Sequence, residues 1–132
     1  MKFTRHEVYN YIYEQVNTTS RPVYITGRIE PIPPSFPAIY LVQLSTEDYA
    51  PALNLLSTDS ARRVVWEAQI FTNKTTGAVD EAHEIMEDVS AAFKNIGFQL
   101  TYCYPVENAD PSIYRLVMRV ERLVCGGDTA DI

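Results

Sequence analysis

The residues best placed to do chemistry lie between Asp80 and Glu87, where His83 and Glu84 open the pentapeptide HEIME. A zinc-protease helix carries a second histidine four positions after the first, so that both imidazoles meet one metal. Glu87 stands at that position. Asp80, His83, Glu84 and Glu87 could share one helical face, but no second ligand cluster accompanies them. A solvated acidic face accounts for such a run, and carboxylates near a helix start also complement its dipole. Nucleophilic catalysis finds no footing either. There is no G-x-S-x-G turn, and His6 and His83 are the only imidazoles available as bases. The segment TNKTTG offers a lysine and hydroxyls without the spacing of a phosphate loop. No pair of carboxylates is marked for acid–base work. The sequence therefore assigns no catalytic, cofactor or metal site, and its reading is non-enzymatic.

Charge pattern is a better lead. Arg62 and Arg63 begin one strand-like segment, and Arg115, Arg119, Glu121 and Arg122 lie close along another. Outward arginines either solvate a strand face or bind carboxylates in bidentate fashion. Glu84 and Glu87 on an acidic helix of a neighbouring copy are suitable carboxylates. Positive strands and a negative helix on one protomer favour head-to-tail contacts, the kind that close into rings.

The whole chain bounds these readings. It has 132 residues, enough for one domain with its own core, and carries a net charge of −6. That balance argues against general affinity for a nucleic-acid backbone, which needs clustered Lys and Arg. No apolar run approaches the roughly 20 residues of a membrane helix, and no signal-like core opens the chain. The expectation is a product that stays in the cytoplasm where it is made. Cys103 and Cys125 lie far apart with no C-x-x-C spacing, which suits a reduced, inert pair. The 9 tyrosines suit sheets and interfaces alike.

Periodicity supplies the elements. Thr4 and Glu7 form a T-x-x-E capping box, with Phe3 and Val8 placed as a hydrophobic staple. Val8, Ile12 and Val16 then line one face of a helix that fades near Asn17. Val23–Thr26 is a short strand. Pro31, Pro33, Pro34 and Pro37 make the next stretch an extended, stiff connector. Ala38–Leu44, apolar on nearly both faces, reads as a central strand. Ser45–Ala61, including Asp48 and Tyr49, reads as a long loop of the kind that contacts partners. Arg62–Asn73 alternates, with Val64, Trp66, Ala68 and Ile70 on one side and Arg63, Glu67 and Gln69 on the other. Thr75–Gly77 starts a second helix, whose apolar positions are Val79, Ala82, Met86, Val89, Phe93 and Ile96. Gly97 is its left-handed cap, with Phe98 packing back on Phe93. Phe98–Tyr104 puts Phe98, Leu100, Tyr102 and Tyr104 on one face. Asn108–Pro111 is a turn. In Ile113–Val124, Leu116, Met118 and Val120 point inward. The predicted fold is α+β, in the order α-β-β-β-α-β-β, with a mainly antiparallel sheet and both helices on one face. Residues 1–124 form a single domain, and 125–132 a flexible tail.

This succession resembles the tail-terminator, or tail-completion, proteins of long-tailed phages. The likeness rests on the opening amphipathic helix, the entry FPAIYLVQL, a loop, the strand VVWEAQIFTN, the helix ending FKNIGF and the closing strand YRLVMRVE. It spans residues 3–124. It implies a structural protein without cofactor, in a hexameric ring that caps the tail tube, stops its polymerisation and presents a surface for head joining. The implied partners are other copies of the chain, the tube protein and a head-completion or connector protein, with DNA passing through the ring unread. The implied place is the head-proximal end of the virion tail. By character, Arg62, Arg63, Arg115, Arg119, Asp48 and Tyr49 correspond to contacts between subunits or with the tube. A head–tail connector and a small enzyme or ligand-binding α+β domain are the alternatives.

Overall fold

The first helix forms where the capping signals place it. In the computed structural model, which describes residues 1–48 and 61–130, α1 runs Arg5–Val16 with Thr4 as its N-cap. Thr4 Oγ1 accepts the Glu7 backbone N–H at 3.3 Å. The Glu7 carboxylate reaches two residues further back than a capping box requires and accepts the Lys2 N–H at 2.9 Å. Val8, Ile12 and Val16 are buried along one face, and Phe3 joins them.

The strands are β1 (Tyr24–Thr26), β2 (Ala38–Asp48), β3 (Ala61–Thr72), β4 (Gln99–Val106) and β5 (Tyr114–Cys125). They form one sheet in the order β1-β2-β3-β5-β4. Every pairing is antiparallel except β1 with β2. The element order is α-β-β-β-α-β-β, an α+β fold. The second helix, α2, spans Ala78–Asn95 and packs with α1 over the same face of the sheet, against Val64, Trp66, Ala68, Ile70, Leu116, Met118 and Val120. Phe93 is the hinge of this core: its ring lies 6.1 Å from Trp66 and 5.1 Å from Phe98. Burying each such aromatic contributes on the order of 1.5–3 kcal/mol.

The end of α2 follows the expected cap. Gly97 has φ of +87°, and the Phe98 N–H donates to Phe93 O at 3.0 Å. The helix start differs from its expected bounds. Thr75–Gly77 is a turn, Gly77 is the N-cap with no side chain to offer, and Val79, expected inward, is exposed. Ile85 and Ala92 fill the core instead.

Three further corrections concern the strands. Ser45–Asp48 is not loop: β2 continues through it, paired with Val65–Arg62. The continuation was masked because Leu44 is a bulge between Gln43 and Ser45, which breaks the alternation on which a strand is recognised. Residues 49–60 of the expected loop, Tyr49 among them, lie outside the described residues, and Ala61 already belongs to β3. The common face expected for Leu100, Tyr102 and Tyr104 is split by a second bulge at Thr101. Leu100 pairs with the helix-side Val120, whereas Tyr102 and Tyr104 pair with Arg119 and Val117 on the opposite face. Finally, Arg122 lies on the helix side of β5, in step with Val120. The segment beyond Cys125 meets the N-terminus, where Lys2 bridges Thr129 and the Ala130 N–H donates to Met1 O at 2.8 Å.

Candidate functional site

Alternation along β3 and β5 sends every second side chain away from the helices. On that helix-free face, Glu67 stands opposite Arg119 and Phe71 opposite Arg115. Polar residues on a bare sheet face ordinarily sit in water. Here Glu67 and Gln69 are only 6 % and 8 % exposed, so their polar atoms need partners. Arg119 Nε donates to Glu67 Oε2 at 2.9 Å. Gln69 Nε2 donates to Glu67 Oε1 at 2.6 Å, and its own Oε1 accepts from Arg115 Nε and Nη2 at 3.0 and 2.6 Å. One continuous chain of hydrogen bonds thus links Arg115, Gln69, Glu67 and Arg119.

Aromatic rings frame this chain. The Arg119 guanidinium lies 4.9 Å from the Tyr102 ring centre, and Tyr104 stacks beside Tyr102 at 5.1 Å. Arg115 lies 5.8 Å from Phe71. Each cation–π contact is worth about 0.5–1 kcal/mol at such sites. The Glu67 carboxylate raises the Arg119 pKa, and burial raises that of Tyr102, so both stay protonated. Ala38, Phe71 and Ile113 form a second apolar cluster on this face, with Tyr24, Phe36 and Tyr40 packed against it. The charges do not cancel: Glu67 balances Arg119, whereas Arg115 is held by a neutral amide. The result is a fixed surface of tyrosine and guanidinium, locally positive at Arg115, with Glu121 on the same face beyond Arg119; tyrosine and arginine are enriched in protein–protein contacts.

The residues singled out from the sequence separate onto different surfaces. Arg115 and Arg119 belong to this face. Arg63 shares it at the far end of β3, held by Glu47 through Nε at 2.8 Å. Arg62 projects to the helix side, where it lines a hollow with Lys2, Thr4 and Thr129, and its cross-strand partner is Asp48. Glu84 and Glu87 are on α2, across the sheet from the arginine face. Glu84 and Asp88 bind Arg21 at 3.3 and 3.1 Å. Glu87 faces β4, where its carboxylate adds to burial in raising the Cys103 pKa. Arg122 is a clasp: Nη1 donates to Ile96 O at 2.5 Å, at the end of α2, while the guanidinium covers the Phe3 ring at 4.1 Å. Sequence reading set Glu67 and Gln69 outward on β3 and gave them no role; the signal for one was their register with the β5 arginines, which alternation alone does not supply.

A hollow of about 670 Å³ opens beside Arg63, Gly97, Gln99, Glu121, Arg122 and Leu123. Its two guanidiniums are committed, one to Glu47 and one to Ile96 O and Asp128. Among the described residues, no three His, Cys, Asp or Glu side chains gather as a metal site, and no helix is long and apolar enough to cross a membrane.

No protein family and no curated protein matches this chain. Among solved structures, it is similar to a chain in the virion of a native gene transfer agent particle. The TM-score is 0.62, at 16 % identity, over 90 % of this chain and 92 % of that one. The likeness is one of fold.

Proposed function

We propose that this chain is a structural protein of a phage-like virion that acts by assembling with copies of itself and with other virion proteins, without catalysis. In the finer reading it is a tail terminator: a ring, hexameric in that family, which caps the tail tube, halts its growth and offers the surface for head joining. The observation that carries the proposal is the helix-free face, where buried Glu67 and Gln69 hold Arg115 and Arg119 in place beside Tyr102 and Tyr104. A surface organised in advance loses little side-chain freedom on docking. The fold shared with a virion chain supports the same reading. Arg115 and Arg119 would take carboxylates of the tube or another virion protein, while Glu84 and Glu87 on α2 would make contacts from the opposite, helical layer. Arg62, Arg63, Asp48 and Tyr49 complete the proposed contact set.

Arg115→Gln is the discriminating variant, because glutamine removes charge while keeping a donor for Gln69. Light scattering with electron microscopy should show rings for the parent protein and a weakened, more salt-sensitive assembly for the variant, with the same circular dichroism. Rings that bind a head connector and ignore tail tubes would favour the connector reading. A parent protein that stays single, alone and with tubes, would overturn assembly as its function.

A further inference from the structure

Among the described residues, neither long rim of the sheet has an outer strand along its full length, and the two rims match. Of the 11 residues of β2, Ala38–Tyr40 pair with β1 and Gly27 comes close to Leu41 O; among the described residues, no strand covers the outer rim from Val42 to Asp48. At the opposite rim, β4 has no outer neighbour among the described residues, and its sequence QLTYCYPV carries no charge. Natural sheets usually guard such rims with charged side chains, because unpaired N–H and C=O groups invite another strand. Pro105, which has no N–H, closes only the last part of β4.

The two rims also run in opposite senses, since the pairs β2–β3, β3–β5 and β5–β4 are all antiparallel. A second copy turned about an axis along the strands therefore brings its β2 rim antiparallel to β4 of the first, with the helices of both on the same side. We propose that copies of this chain join in this way, β4 of one adding to β2 of the next, so that the sheet continues through the assembly. The proposal deepens the self-assembly reading above and rests on it.

Register supports the match. If Tyr104 stands opposite Val42 of the next copy, both are on the helix-free face, and Cys103 stands opposite Gln43 on the helix side. Beyond the Thr101 bulge the faces would fall out of step against a regular strand. The β2 rim has its own bulge at Leu44, next to that point, and it restores the step: Leu100 meets Thr46 on the helix side, and Gln99 meets Glu47 on the other. The pairing also covers side chains that a lone protomer leaves in water. Leu44, Leu100 and Tyr104 are 44, 37 and 46 % exposed, and all three lie on these rims. A symmetric β4–β4 pairing would leave Leu44 and the β2 rim bare.

A cross-link tests the register. Gln43→Cys is combined with Cys125→Ser, so that the only possible bridge in the pairing joins the new thiol to native Cys103 of the next copy. Mild oxidation of the full chain at high concentration should produce a ladder extending beyond dimers on a non-reducing gel, and Cys103→Ser should abolish it. Leu44→Lys should remove the ladder without changing the circular dichroism. If light scattering shows assembly and no ladder forms, rim pairing is wrong while self-assembly stands. Dimers alone, seen also with Cys125→Ser by itself, would mean β4–β4 pairing and overturn the proposal. A single-chain mass with no ladder would overturn both readings.

Discussion

At the residue scale, Glu67 matters most. It is buried on a face no helix covers, and it accepts from both Arg119 and Gln69. Hydrogen bonds to charged groups contribute about 1.5–3 kcal/mol. Because Arg119 is 37 % exposed, water compensates part of its loss. Glu67→Ala should therefore lower urea-unfolding stability by about 1.5–3 kcal/mol. Glu67→Leu with Arg119→Met should recover much of that, since the loss comes from stranding one partner. Reversing Arg119 to Glu is a poor test of assembly for the same reason: it would set two carboxylates together inside the protomer.

Asp110 offers a pH reading at the same scale. Its carboxylate accepts from the Ser112 hydroxyl at 2.7 Å and from the Ser112 N–H at 3.0 Å. Those two bonds hold its pKa below the ordinary 3.8. A depressed carboxyl favours the folded state above its ordinary pKa, and that contribution is lost as pH falls through the folded value. An NMR titration should place the Asp110 midpoint below 3.8, and Ser112→Ala should move it back up.

At the element scale, two glycines make a controlled pair. Gly77 and Gly97 share a φ of +87°, at the start and just past the end of α2. A methyl group at Gly77 meets nothing within 4 Å, whereas at Gly97 it collides with the Arg122 guanidinium. Gly77→Ala should cost the backbone term alone, about 1 kcal/mol. Gly97→Ala should cost about 2 kcal/mol or more, because Arg122 would lose its grip on Ile96 O. Thermal melts of the two variants measure the difference.

Elements were legible where local chemistry decides them. Thr4, Gly97 and the spacing of four between Val8, Ile12 and Val16 act within a turn or two of chain, and the structure bears them out. The alternation of Val64, Trp66, Ala68 and Ile70 likewise named the covered face of β3. The bulges at Leu44 and Thr101 were not legible, because an extra residue is defined only against the strand that pairs with it. The arginine face was half legible. Arg115 and Arg119 stood out by type, but their grip on Gln69 and Glu67 joins residues 46 and 52 positions apart. Spacing within either segment carries no trace of that distance.

At the scale of the molecule, one guanidinium joins segments that are remote in the chain. Arg122 on β5 holds the end of α2 through Ile96 O, covers Phe3 ahead of α1 and reaches Asp128 at 3.4 Å, while Lys2 and Thr129 bridge alongside. Fraying of any one of these pieces would loosen the others, which makes the corner a single opening unit. Amides of Phe98, Ala130 and Asp128, all hydrogen-bonded there, should exchange with deuterium at a common rate. Arg122→Ala should speed all three together while leaving those at the centre of β3 slow. Latching both ends of the described chain to one helix terminus gives it a seam that opens whole or stays shut.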